Sequence, residues 1–70
     1  MSVSRDELVL MKFAASGDRR ELLSLMTAAG ARITDASPRF VTFKMIDTPE
    51  KIETLLQSVQ KYELLELLRS

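Results

Sequence analysis

Leu64-Leu65-Glu66-Leu67-Leu68-Arg69-Ser70 decides the fold of this chain. Leucine and glutamate favour helix, and no Gly or Pro after Pro49 stops the helix that precedes the segment. Read as helix, the segment prolongs that element to about 30 Å, more than a domain of 70 residues can cover. Read as strand, its four leucines suit an element covered on both faces. A strand here also pairs an apolar edge that the first strand would otherwise expose. The layout of the chain therefore favours a strand over residues 64–70.

Working backwards, Asp47-Thr48-Pro49 is a helix start, with Thr48 as N-cap and Pro49 at the first helical position. Ile52, Leu55, Leu56 and Val59 follow at i, i+3, i+4 and i+7, one apolar stripe. Phe40 to Ile46 reads as a strand, with Val41, Phe43 and Met45 on one face and Phe40, Thr42 and Lys44 on the other. Ala31 to Ala36 reads as a shorter strand, separated from it by Ser37-Pro38, which is turn chemistry. The two pair as a hairpin.

At the other end, Glu7 to Ala15 places Val9, Met11 and Phe13 on one face and Leu8, Leu10 and Lys12 on the other. The half-apolar second face is open to two readings, a partly covered back face or a surface kept for a partner. Ser16-Gly17-Asp18 breaks the strand. Asp18 as N-cap with Glu21 makes a capping-box pattern, and Leu22, Leu25, Met26 and Ala29 form a helical stripe that ends at Gly30. The expected helix runs from Asp18 to Ala29.

The order strand, helix, strand, strand, helix, strand is the α+β, ferredoxin-like βαββαβ plan. Right-handed crossovers put both helices on one face of a four-stranded antiparallel sheet. Val9, Met11, Phe13, Val41, Phe43 and Met45 meet the two stripes as the core. The opposite face has no layer. Residues 1–70 form a single domain, with residues 1–4 expected to be flexible.

Composition narrows the function. With 46 % hydrophobic residues the chain can build a core. Ten basic and ten acidic residues cancel, which argues against a polyanion partner. The chain has no Cys and no His, hence no thiolate nucleophile, disulfide, zinc–thiolate site or imidazole base. Acidic residues are spread along the chain, and Gly17 and Gly30 are isolated, so neither a carboxylate pair nor a phosphate loop is specified. Ferredoxin-like acylphosphatases use an Arg and an Asn, and metal carriers of this plan use a Cys pair; Asn and Cys are both missing. No catalytic, metal or cofactor residue is assigned. No stretch is long and apolar enough to span a membrane, and the start lacks the regions of a signal peptide; a cytoplasmic location is expected.

Arg39-Phe40-Val41-Thr42-Phe43 resembles the end of the third strand of an RNA-recognition motif, whose exposed aromatics stack on bases. The glycine and first stacking aromatic of that signature are missing, and Phe43 is assigned to the core, so no nucleic-acid partner is expected.

A second resemblance covers residues 5 to 70. Arg5-Asp6-Glu7-Leu8-Val9-Leu10-Met11-Lys12, then Gly30-Ala31-Arg32-Ile33-Thr34-Asp35-Ala36-Ser37, then Lys51-Ile52-Glu53, then Glu66-Leu67-Leu68-Arg69-Ser70 stand in the order of four short motifs. Together they resemble the C-terminal domain of the acetolactate (acetohydroxyacid) synthase small, regulatory subunit. The sequence departs from that pattern in one residue inserted after Gly30 and in Tyr62-Glu63, where the family usually has a Gly. In that family an ACT domain carrying the valine feedback site comes first. The stretch before Arg5 is too short to be one, which leaves two alternatives, an excised C-terminal domain or a short free-standing relative.

The resemblance implies a non-catalytic regulatory and assembly domain in branched-chain amino-acid biosynthesis. Its implied partners are copies of itself, with a dimer expected, and the synthase catalytic subunit, where the thiamine diphosphate chemistry resides. The open face supplies the candidate contact residues Leu8, Leu10, Phe40 and Thr42, with Arg39 as a polar rim. The alternative functions are a stand-alone ACT-like sensor of a small ligand such as an amino acid and, behind it, an RNA-binding module. The implied effector site lies outside these residues, and no glycine-bearing loop here receives an amino-acid carboxylate. Calorimetric titration of the chain with valine, leucine or isoleucine is expected to show no binding in the micromolar range; a micromolar constant would favour the sensor.

Overall fold

The computed structural model describes residues 5–15 and 18–70. The element order is β1 (Glu7–Ala14), α1 (Arg20–Ala28), β2 (Arg32–Ala36), β3 (Phe40–Asp47), α2 (Pro49–Ser58) and β4 (Leu64–Arg69). The strands form one antiparallel sheet in the order β2-β3-β1-β4. This is the ferredoxin-like arrangement. The Ser16-Gly17 break and the N-terminal residues 1–4 lie outside the described residues.

β1 and β3 form the centre of the sheet and pair along their whole length, from Glu7 opposite Asp47 to Ala14 opposite Phe40. Alternation sends Val9, Met11 and Phe13 of β1, and Val41, Phe43 and Met45 of β3, to the same side. All six are buried, together with Leu22 and Met26 of α1, Ile52 and Leu55 of α2, and Val59. Phe13 and Phe43 meet edge to face, 6.1 Å between ring centroids.

Each helix has local reasons for its limits. Thr48 is extended, its Oγ1 accepts from the Lys51 N–H at 3.3 Å, and Pro49 opens α2. α1 ends in a Schellman motif: the Ala31 N–H donates to Met26 O, the Gly30 N–H donates to Thr27 O, and Gly30 takes φ +92°. The start of α1 differs from the sequence expectation. Arg19 precedes the first helical residue and makes no side-chain cap bond. The Asp18 carboxylate accepts from the backbone and guanidinium of Arg20, and Glu21 pairs with Lys61 in place of completing a capping box. A long-range ion pair has taken the glutamate that a local cap would use.

Leu64–Arg69 is a strand, antiparallel to β1, with Leu68 opposite Leu10 and Leu67 opposite Met11. The register shifts between Lys12 and Phe13, so that Leu64 stands opposite Phe13. The expectation that its leucines are covered on both faces is not met: every residue of β4 is exposed. Two helices of nine and ten residues reach the two central strands and leave the flanking ones at the margin. The far end of β4 is instead tied by charge. Arg69 Nη2 donates to Glu7 Oε1 at 2.8 Å, and Arg69 Nη1 contacts Glu53 on α2.

Phe43 sits at the centre of the single core, so Phe43→Ala is expected to destabilise the domain by about 3–5 kcal/mol. That is a large share of the roughly 4–10 kcal/mol available to a chain of this size. Denaturant unfolding followed by circular dichroism measures it.

Candidate protein-interaction face

The side of the sheet away from the helices is built by the other alternation. Leu8, Leu10, Lys12 and Ala14 of β1 stand opposite Ile46, Lys44, Thr42 and Phe40 of β3. β4 adds Leu68 beside Leu10 and Glu66 beside Lys12. β2 adds Arg32 beside Lys44 and Asp35 beside Thr42.

This pairing divides the face into two ends of different chemistry. At one end Leu8, Leu10, Ile46 and Leu68 make a contiguous apolar cluster, with Ile46 61 % and Leu68 62 % exposed. A shallow depression of about 100 Å³ lies among Leu8, Leu10, Leu68, Arg69 and Ser70. At the other end Lys12 Nζ stands 4.1 Å from the centroid of the Phe40 ring and 3.2 Å from Glu66 Oε2. A polar hollow of about 230 Å³ surrounds them, with Asp35 and Thr42 on its wall. The cation over Phe40 covers the aromatic surface that a stacking base would need. Phe43, the other aromatic of that stretch, is fully buried.

Of the five contact residues read from the sequence, the fold brings Leu8, Leu10, Phe40 and Thr42 onto this one face. Arg39 lies just outside β3, exposed, without a side-chain partner among the described residues. The arginine that organises the hairpin is Arg19, whose Nη2 donates to Ser37 O at 2.8 Å. Ser37 Oγ in turn accepts from the Arg39 and Phe40 N–H groups. Sequence reading missed Ile46 and Leu68. Ile46 continues the even-numbered alternation of Phe40, Thr42 and Lys44 and was open to detection. Leu68 becomes assignable only with the β1–β4 register.

The remaining charged groups hold the scaffold. Glu21 sits below the usual carboxylate range, chiefly through its hydrogen bond from Lys61 and then through Tyr62. Arg69 is raised by Glu53 and then Glu7. A hollow of about 490 Å³ forms an open furrow between the helices. Its charged groups, Lys51 and Asp47, face one another at 3.9 Å. Among the described residues no group of three or more acidic side chains could hold a metal ion. No helix among the described residues is long and apolar enough to cross a membrane.

A family model described as the small subunit of acetolactate synthase matches residues 6–70. The chain belongs to the acetolactate synthase small-subunit family. The part it represents is of the C-terminal type. It is 34 % identical over 70 residues to the acetolactate synthase small subunit of Mycolicibacterium smegmatis, a match that spans 99 % of this chain and 41 % of that protein. The chain thus spans about two-fifths of the length of that relative. Its fold matches the crystal structure of the acetolactate synthase small subunit from Thermotoga maritima with a TM-score of 0.84. That match has 23 % identity and covers 93 % of this chain and 40 % of the other.

The Lys12–Glu66 pair lies at the surface, so its coupling is expected to be small. A double-mutant cycle of Lys12→Met and Glu66→Gln, read by thermal unfolding, is expected to give about 0.2–1 kcal/mol. The coupling should shrink in 1 M salt, where the Debye length falls to about 3 Å.

Proposed function

We propose that this chain is a non-catalytic regulatory domain of an acetolactate synthase small subunit, acting by protein contact. It associates with copies of itself and with the catalytic subunit, in branched-chain amino-acid biosynthesis. The family supports the setting, and the chemistry of the residues supports the absence of a reacting group: there is no Cys or His in the sequence, and Glu7, Glu21 and Glu66 are engaged with Lys or Arg.

One observation carries the contact reading. Leu8, Leu10, Ile46 and Leu68 form an apolar cluster on a sheet face that no helix covers. Scattered surface leucines are ordinary, whereas cross-strand neighbours on three adjacent strands make a continuous apolar surface of the kind that marks a binding site. Lys12, Glu66, Arg32, Lys44 and Asp35 give this cluster a mixed-charge border, as the rim of a protein interface has. We assign this face to the catalytic subunit.

The test uses this chain and the synthase catalytic subunit of the same organism, mixed and followed by sedimentation velocity. Leu10→Glu places a carboxylate in the middle of the cluster and is expected to weaken complex formation at least tenfold. Its unfolding midpoint should stay within a few degrees of the parent, because Leu10 already borders solvent. Unchanged complex formation by a folded Leu10→Glu variant would overturn the assignment of the face.

A further inference from the structure

The open face has one row whose charges do not balance. Lys12 and Glu66 stand directly opposite each other on β1 and β4 and form an ion pair. Arg32 and Lys44 stand directly opposite each other on β2 and β3, and both are cations. Like charges so placed destabilise a strand pair. Both residues are exposed, and among the described residues neither makes an ion pair. The acid that shares these two strands on this face, Asp35, stands opposite Thr42, and its Oδ1 accepts from the Ala36 N–H at 2.9 Å.

The strand registers place Arg32, Lys44, Leu10 and Leu68 in a single row across all four strands. One half of the row is cationic and the other half apolar. Neighbouring strands lie about 4.8 Å apart, so the midpoints of the two halves are about 10 Å apart. A hollow of about 460 Å³ lies beside Arg32 and Lys44, with Ile46 of the apolar cluster on its wall.

We propose that Arg32 and Lys44 receive a carboxylate of the catalytic subunit, an Asp or Glu about 10 Å from the apolar side chain that seats on Leu10 and Leu68. The proposal rests on the assignment of this face to the catalytic subunit and adds the chemistry of what docks there. A carboxylate between the two cations accepts from both and removes their repulsion. The domain alone thus carries a repulsion that binding relieves. Two exposed cations hold a free anion weakly in water. The apolar half of the row excludes water when a protein surface covers it, which strengthens the charged half. The same pair steers an acidic surface toward the face and repels a basic one.

The experiment measures two properties of Lys44→Glu. One is the unfolding midpoint of the domain alone. The other is binding to the catalytic subunit of the same organism, by sedimentation velocity and stopped-flow kinetics at low and high salt. The midpoint is expected to rise by about 2–5 °C, because a carboxylate then faces Arg32. Binding is expected to weaken about tenfold at low salt, chiefly in the association rate, with a smaller loss at high salt. A residue that merely supports the fold would not give a more stable domain that binds less. Arg32→Gln with Lys44→Gln is the second variant; it removes both charges without adding an acid and is expected to flatten the salt dependence. Binding by Lys44→Glu that equals or exceeds the parent's overturns the proposal. So does a homodimer that Lys44→Glu dissociates while catalytic-subunit binding is unchanged, since the acid then belongs to a second copy. Leu10→Glu separates the two readings. If it abolishes binding and Lys44→Glu does not, the face stands and the acid contact fails. If both variants bind as the parent does, the assignment of the face fails first, and the acid contact with it.

Discussion

Two short helices can dry one face of a four-stranded sheet and no more. Everything else about this molecule follows from that constraint. The β1–β3 ladder splits the apolar residues of the central strands between a sealed side and an open side. The sealed side holds the full core, Phe13 and Phe43 included. The open side keeps leucines and isoleucine that a third layer would have buried.

The flanking strands show the same limit. Neither β2 nor β4 contains a buried residue, so their attachment depends on backbone pairing and on polar ties at their ends. Arg69 links β4 to β1 and α2, Lys61 links the chain after α2 to α1, and Arg19 holds the β2–β3 turn. Exposed ion pairs contribute little stability one at a time, and here they serve chiefly to set where the marginal elements sit.

The central architecture was legible because alternation and helical stripes report burial directly. The six strand residues assigned to the core are all buried, and Thr48, Pro49 and Gly30 mark the helix limits found. The last strand was legible from layout against its own local propensity, although one reason for it, burial on both faces, does not hold. What escaped the sequence depends on register and on distant partners. Leu68 joins the apolar cluster because of where the bulge falls. Glu21 leaves its cap for Lys61, forty positions away, and Arg19 reaches across the chain to hold the β2–β3 turn. Local pattern carries no record of such choices.

The ion pair between Arg69 and Glu7 also has a mechanical meaning. It joins the first residue of β1 to the last residue of β4, and the Ser70 N–H bonds to Leu8 just beside it. The chain therefore enters and leaves the sheet at the same end of one antiparallel pair. Tension applied through the two ends loads the β1–β4 ladder one rung after another, as a zipper is opened, and not all rungs together in shear. Such a domain parts at low force, and the Arg69 clasp is the first element to bear it. A pull along the chain would strip β4 from β1 before it disturbed the β1–β3 core.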